Sequence, residues 1–219
     1  MKASDTLCLD RGVVAPSFVD VVTGERRPFH MRHNTLSYMA AEAVAAAFGG
    51  DPAYIPARIG FIYGSADSLV DEDPQITRAQ TWEGLYSEMH EKGQDIQIVN
   101  FSYPPTLGGE PHSASDSSSS SDSPSASSLQ YEPGDYTNIL PTGSNAITFH
   151  AVSNSMDAGF YGTDAFKTTD VIYQGVLLGY VPRENKYYVI ARASLKGRDT
   201  WLQKPAGFEV ALDWTVVFH

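Results

Sequence analysis

Residues 208–218 read FEVALDWTVVF. Phe208, Val210, Leu212, Trp214, Val216 and Phe218 fall on one side of a two-residue repeat, while Glu209, Asp213 and Thr215 share the other. That period belongs to a β-strand with one buried face, because successive side chains leave the pleat in opposite directions. Working back along the chain, residues 145–152 (NAITFHAV) set Ile147, Phe149 and Ala151 against Thr148, His150 and Val152. Residues 170–181 (DVIYQGVLLGYV) are apolar on both sides, as a strand covered on both faces must be. Residues 186–195 place Tyr187, Val189, Ala191 and Ala193 on one face. Residues 57–64 (ARIGFIYG) read as a buried strand. Residues 95–103 (DIQIVNFSY) set Ile96 and Ile98 opposite Val99 and Phe101, and Pro104-Pro105 stops that strand. Strands at this spacing, divided by Gly and Pro turns, predict a mainly β chain folded as an antiparallel, jelly-roll-like β-sandwich.

Ahead of these strands, residues 1–33 read as an N-terminal arm with a hairpin. Phe18 to Val22 favours strand, Thr23-Gly24-Glu25 is a turn, and Pro28 to Met31 returns alongside. Asn34 is placed to cap a helix over 35–48, which Gly49-Gly50 ends, with Leu36, Met39, Ala40, Ala43 and Ala47 on its apolar face. A second, short helix is expected over 76–91, with Trp82, Leu85, Tyr86 and Met89 on one face. Residues 105–144 differ in kind: from Ser113 to Ser128, eleven of sixteen residues are serine, too little apolar surface to offset the chain entropy of ordering. They predict a Ser-rich loop inserted in a single sandwich domain, 34–219, since neither flank alone has enough strands for a sheet system.

Composition bounds the function. With 42% apolar residues, three Trp, twelve Tyr and ten Phe, the chain can bury a substantial core. A net charge of −11 and a pI near 4.8 speak against nucleic acid as a partner, because binding it needs clustered Lys and Arg to displace counterions. Cys8 is the only cysteine, so an intrachain disulfide and a thiolate metal cluster are excluded. The first residues lack the apolar core of a signal peptide, and no segment approaches the length of a membrane span, so cytoplasmic synthesis and no membrane partner are expected.

Catalytic patterns are not legible. The chain has no G-x-S-x-G elbow, Walker loop or G-x-G-x-x-G. His30 and His33 lie three apart but lack an obvious third ligand, and read as a solvated or hydrogen-bonded pair. Asp67, Asp71, Glu72 and Asp73 are the densest carboxylates. Counted as an EF-hand loop from Asp71, Ile76 stands where Gly is required and Trp82 where the bidentate Glu is required; counted from Asp67, Arg78 stands at that last position. They read as an acidic loop before a helix. His150, inside a strand, has no nucleophile near it in sequence and reads as a hydrogen-bonded histidine on a sheet face. No catalytic, cofactor-binding or metal-binding residue is assigned, no cofactor is expected, and the chain is not expected to be an enzyme.

Several blocks carry a resemblance: TRAQTWEGLYSEM, DIQIVNFSYPPTL, SNAITFHAV, DVIYQGVLLGYV, YYVIARASL and the closing LQKPAGFEVALDWTVVFH. In pattern and order, Thr77 to His219 resembles uncharacterised structural proteins of tailed-phage virions. The resemblance covers about two-thirds of the chain, none of its motifs is diagnostic, and the serine tract is longer than such loops usually are. It implies an assembly role in the virion, through contacts with other virion proteins and with further copies of the chain in the neck, tail or fibre region. Capsid decoration is an alternative, and so is a receptor- or carbohydrate-binding module stacking sugars on Trp82, Tyr131, Tyr136 or Trp201. Arg11 to His33 and the helix from Asn34 to Phe48 are the expected contacts with other subunits, and a chain starting at Thr35 is then expected to stay folded. Both segments have a plainer use, covering the chain's own sheet.

Overall fold

The structure is a computed structural model. It describes residues 11–40, 42, 56–65, 76–101, 106–107, 146–153, 170–181, 184–197 and 200–217. The strands are β1 (Arg11–Asp20), β2 (Arg26–Pro28), β3 (Arg32–His33), β4 (Thr35–Leu36), β5 (Pro56–Ser65), β6 (Asp95–Val99), β7 (Thr106–Leu107), β8 (Ala146–Val152), β9 (Asp170–Val181), β10 (Lys186–Ser194), β11 (Leu202–Gln203) and β12 (Phe208–Val217). Between β5 and β6 lies helix α1 (Trp82–Glu91). Two six-stranded sheets form: a first in the order β2-β1-β12-β8-β7, with β3 also on β1, and a second in the order β4-β10-β9-β5-β6, with β11 also on β9. Every pairing is antiparallel. The fold is thus mainly β, an antiparallel sandwich, as the alternation in residues 208–218 predicts.

The inner faces meet in one apolar cluster. The first sheet supplies Val14, Phe149, Ala151, Val210, Leu212, Trp214 and Val216; the second supplies Ile59, Phe61, Val99, Ile172, Leu177, Ala191 and Ala193. Trp214 reaches the opposite sheet at Gly175, where a Cβ would stand 3.1 Å from both Trp214 Cζ3 and Leu212 Cδ1. The missing side chain on β9 makes room for the indole. A second cluster lies on the outer face of the second sheet, where Trp82, Leu85 and Met89 of α1 cover Ile62, Ile96, Ile98, Val176, Leu178 and Val189. This accounts for the two-sided apolar character of β9: one side faces the sandwich, the other the helix.

As in a jelly roll, early strands pair with late ones, β1 with β12 and β4 with β10, while β5–β6, β7–β8 and β9–β10 pair with their neighbours in sequence. The hairpin expected within residues 1–33 is woven into the sandwich. All ten residues of β1 pair with β12, and Val14 is in the core. The edge beyond β1 is broken into β2 and β3, and Pro16 explains the break. Its carbonyl accepts from Phe29 N at 2.8 Å, so the N–H that proline lacks would face the same side, where the edge chain leaves the sheet at residues 29–31.

Three local expectations are corrected. Asn34 does not cap a helix over 35–48. It sits at the crossing from the first sheet to the second, and Thr35 and Leu36 pair with Arg192 and Ala191 as β4. Burial of Leu36 and the open edge of β10 outweigh helix propensity there, and helical residues begin only at Tyr38. Of the rest of that segment, residues 41 and 43–50 lie outside the described residues. The second helix starts at Trp82, not Ile76: Thr81 is the residue whose hydroxyl accepts the Gly84 N–H, at 3.1 Å, and Gly93, at φ 62°, follows the last turn. In β10 the four residues expected on one face divide between two. Val189 pairs with Leu178 and Ala191 with Leu177, leaving Ile190 as an extra residue. This bulge turns Tyr187 and Val189 toward α1, and Ala191 and Ala193 into the sandwich.

Candidate functional site

The polar half of the β8 and β12 alternation becomes a buried ladder on the outer face of the first sheet. Cross-strand register sets Thr148 opposite Thr215 and His150 opposite Asp213. The two threonine hydroxyls lie 2.8 Å apart, and His150 Nδ1 is hydrogen-bonded to Asp213 Oδ1. From β2, Arg26 Nη2 donates to Asp213 Oδ2 and to Ser17 Oγ, both at 3.0 Å. Asp213, His150, Thr148 and Thr215 are all buried. Asp213, on β12, is therefore held from two other strands, with each carboxylate oxygen on a different partner. An aspartate on the Nδ1 of a histidine fixes the tautomer and orientation of the ring, which is half of a hydrolytic triad. Among the described residues the hydroxyls nearest this dyad are engaged elsewhere, Thr148 with Thr215 and Ser17 with Arg26. Toward the start of β12, Ser153 Oγ takes the Val210 N–H at 2.9 Å and donates to Glu209 Oε2 at 3.2 Å, tying the end of β8 to β12.

A second polar group lies beneath α1. Arg192, projecting from β10 on the α1 side, is buried. Its Nε donates to Gln174 Oε1 at 3.0 Å and Nη1 to Glu88 Oε2 at 3.2 Å, while Nη2 also contacts Gln174 Oε1. Glu88 further accepts from Gln80 Nε2 at 3.1 Å and from Lys92 Nζ at 2.7 Å. Burial pushes the Glu88 carboxyl up, but Lys92 and Arg192 outweigh it and hold it below the ordinary glutamate range. Burial likewise works against the charge on Arg192, and Glu88 offsets part of that. The helix is thus seated by apolar contact, worth about 1.5–3 kcal/mol for each buried Leu or Met side chain, and keyed in register by one charged clamp.

These carboxylates give opposite pH responses. Glu88, with its pKa lowered on folding, adds stability above the ordinary glutamate range, and that stability is lost as pH falls through the folded-state value. Glu209 is pushed up by burial against the pull of Lys204 and Ser153, so its ionised form costs stability at neutral pH and the cost is relieved on acidification. Thermal unfolding followed between about pH 7 and pH 4 is expected to show Glu88→Gln less stable than wild type at pH 7, with the gap closing on acidification. Glu209→Gln is expected to be more stable at pH 7, with its gap also closing. At the ladder, Arg26→Leu removes one of the two partners of Asp213 and is expected to cost about 1–3 kcal/mol in urea unfolding, the range for a buried acceptor that loses a donor.

The residues singled out from sequence fall apart in space. His30 packs edge-on against Phe29, with ring centroids 5.3 Å apart, while His33 is exposed on β3. Asp67, Asp71, Glu72 and Asp73 lie outside the described residues, as do Cys8, Tyr131 and Tyr136. Among the described residues no group of three or more His, Cys, Asp and Glu side chains is placed to hold a metal ion, and no helix is long and apolar enough to cross a membrane. Trp82, the first residue of α1, is buried against Tyr187. Trp201 is half-buried, its ring approached by the edge of Tyr173 at 5.1 Å and by Lys196 Nζ at 5.2 Å, so the indole already has partners where a sugar would stack. Asp213 and His150 stand out in sequence as the polar members of apolar strands. Arg26 and Glu88 carry no such signal, since their partners lie 187 and 104 residues away along the chain. No known protein family, curated protein or solved structure matches this chain.

Proposed function

We propose that the chain is a non-enzymatic structural protein of a tailed-phage virion, acting through contacts between subunits in the neck, tail or fibre region. The observation that supports this best is how the buried charges are used. Asp213 joins β12 to β2 and β8, and Arg192 joins β10 to β9 and α1. In both groups polar side chains brace one element against another, which favours a rigid building block over a site that must admit and release a substrate. The order of sequence blocks from Thr77 to His219, resembling virion structural proteins, supports the same reading. Quantitative mass spectrometry of purified particles tests it. The chain is expected at a fixed copy number relative to the major capsid protein: a dozen or so copies for a neck or tail position, hundreds for decoration of the capsid. Absence from washed particles overturns the reading.

A further inference from the structure

Residues 11–33 form one unit, β1 with β2 and β3 along its edge, and a single residue joins that unit to β4. Its hold on the body is non-covalent and lies along one late stretch of chain. All ten residues of β1 pair with β12. Val21 N donates to Gly207 O at 3.0 Å, Arg26 Nη2 to Asp213 Oδ2 at 3.0 Å and Arg32 Nη2 to Gly197 O at 2.9 Å. The Arg27 guanidinium lies 4.7 Å from the Phe208 ring. A second copy of the chain presents this same surface, so the unit needs no new complementarity to dock there.

The link is Asn34. On one side of it His33 pairs with Val13 in the first sheet; on the other Thr35 pairs with Arg192 in the second. Asn34 N donates to Gly12 O at 3.0 Å. The side chain is folded in over Gly12, where a Cβ would stand 2.4 Å from Asn34 Nδ2 and 2.6 Å from Oδ1. Asn34 is only 8% exposed, and among the described residues neither Oδ1 nor Nδ2 has a hydrogen-bond partner. A buried amide left unpaired costs stability that an amide in water does not. Closing the link within one chain carries that cost. A short hinge that is costly when closed invites exchange of the element it carries.

We propose that two copies of this chain exchange residues 11–33 with Asn34 as the hinge, so that β1 of each lies on β12 of the other. The exchange is reciprocal, and it closes as a symmetric dimer that does not propagate. In it Arg26 of one copy binds the partner's Asp213, and Asn34 is opened out where water or the partner's Asn34 supplies the missing hydrogen bonds. Closed monomer and exchanged dimer share their contacts except at the hinge, so concentration during folding decides between them. Interconversion requires stripping β1 from β12, which makes it slow. A second copy is thereby named as a partner for the structural role proposed above, and the exchange rests on that reading only for its biological setting.

The test uses the full chain carrying Cys8→Ser, so that only introduced cysteines react. Val19→Cys and Glu209→Cys are added; these residues stand directly opposite each other across β1 and β12, within the span of a disulfide. The protein is unfolded in urea, refolded at about 1 μM and at about 1 mM, oxidised, and sized by sedimentation and on a denaturing gel without reductant. The dilute sample is expected to be monomer with an internal disulfide. The concentrated sample is expected to contain a dimer that stays covalently joined in the gel, because each disulfide then bridges two chains. Inserting Gly-Ser between Asn34 and Thr35 lets the link close freely and is expected to lower the dimer yield about tenfold or more. Asn34→Leu, which removes the unpaired amide, is expected to act in the same direction and serves if the insertion fails to fold by circular dichroism. A chain that is monomeric at the higher concentration overturns the proposal. So does a dimer that falls to monomers in the gel, which would mean docking without exchange, and so does a cross-linked dimer whose yield neither hinge variant lowers. Finding the chain at fixed copy number in particles while the purified protein stays monomeric would sink the exchange and leave the structural role standing.

Discussion

Trp214→Ala is expected to lower unfolding stability by about 3–5 kcal/mol, the usual cost of truncating a buried aromatic residue. The indole is fully buried, stands midway along β12 and spans the gap between the sheets to Gly175. Both neighbouring strands fix its position, Val14 of β1 on one side and Phe149 of β8 on the other. The hole left behind would be lined by side chains of two hydrogen-bonded sheets, which collapse poorly into it. Trp214→Phe is a useful control. Among the described residues the buried Nε1 makes no hydrogen bond, so Phe loses volume but no polar contact and is expected to cost clearly less than Ala. Gly175→Val probes the other wall. Its added carbons meet Trp214 and Leu212 at once, and it is expected to cost about 1–3 kcal/mol by overpacking. Urea unfolding of the three variants checks the ordering, and a Trp214→Ala protein within about 1 kcal/mol of wild type contradicts the placement of the indole.

The sandwich was legible because period two is a local property. Val210, Leu212, Trp214 and Val216 need no knowledge of the rest of the chain to show which way they face, and the structure puts all four between the sheets. Residues 170–181 were legible for the same reason, although the sequence does not say that α1 supplies the second cover. What was not legible depends on partners distant in sequence. Thr35 and Leu36 stand in a helix-forming segment and become a strand because the edge of β10 is open beside them. The bulge at Ile190 is invisible in a regular alternation of apolar residues, yet it reverses the facing of half a strand. The buried ladder was half legible. The polar face of β12 pointed to Asp213 and Thr215, and that of β8 to Thr148 and His150, but only cross-strand register brings them into pairs. Arg26 joins them from a hairpin that, as sequence alone, reads as a detachable arm.

That hairpin carries the larger expected effect. A chain beginning at Thr35 is expected to lose cooperative unfolding altogether, although from sequence the same truncation reads as harmless to the fold. Residues 11–33 are contiguous and terminal, but β1 is an interior strand of the first sheet, with β2 and β3 on one side and β12 along its whole length on the other. Removing it strips ten residues of pairing from β12 and takes Val14 from the core, Ala15 from the outer face, and the Phe18 and Phe29 rings from the rim. It also withdraws Arg26 from Asp213, leaving a buried carboxylate with one partner fewer. Each fully buried apolar side chain contributes about 1.5–3 kcal/mol, and domains of this kind hold only about 5–15 kcal/mol in all, so these losses together exceed the margin. Circular dichroism with thermal melting is the measurement, and the truncated chain is expected to show no cooperative transition. Aggregation alone does not decide the matter, so the second arm adds a synthetic peptide of residues 11–33 in trans. If β1 completes the sheet, the peptide is expected to restore β signal and a melting transition, and a peptide carrying Val14→Asp is expected to fail. A truncated chain that melts cooperatively near the wild-type temperature would mean that the sandwich closes on β12 without β1, and the ten-residue pairing would then be dispensable.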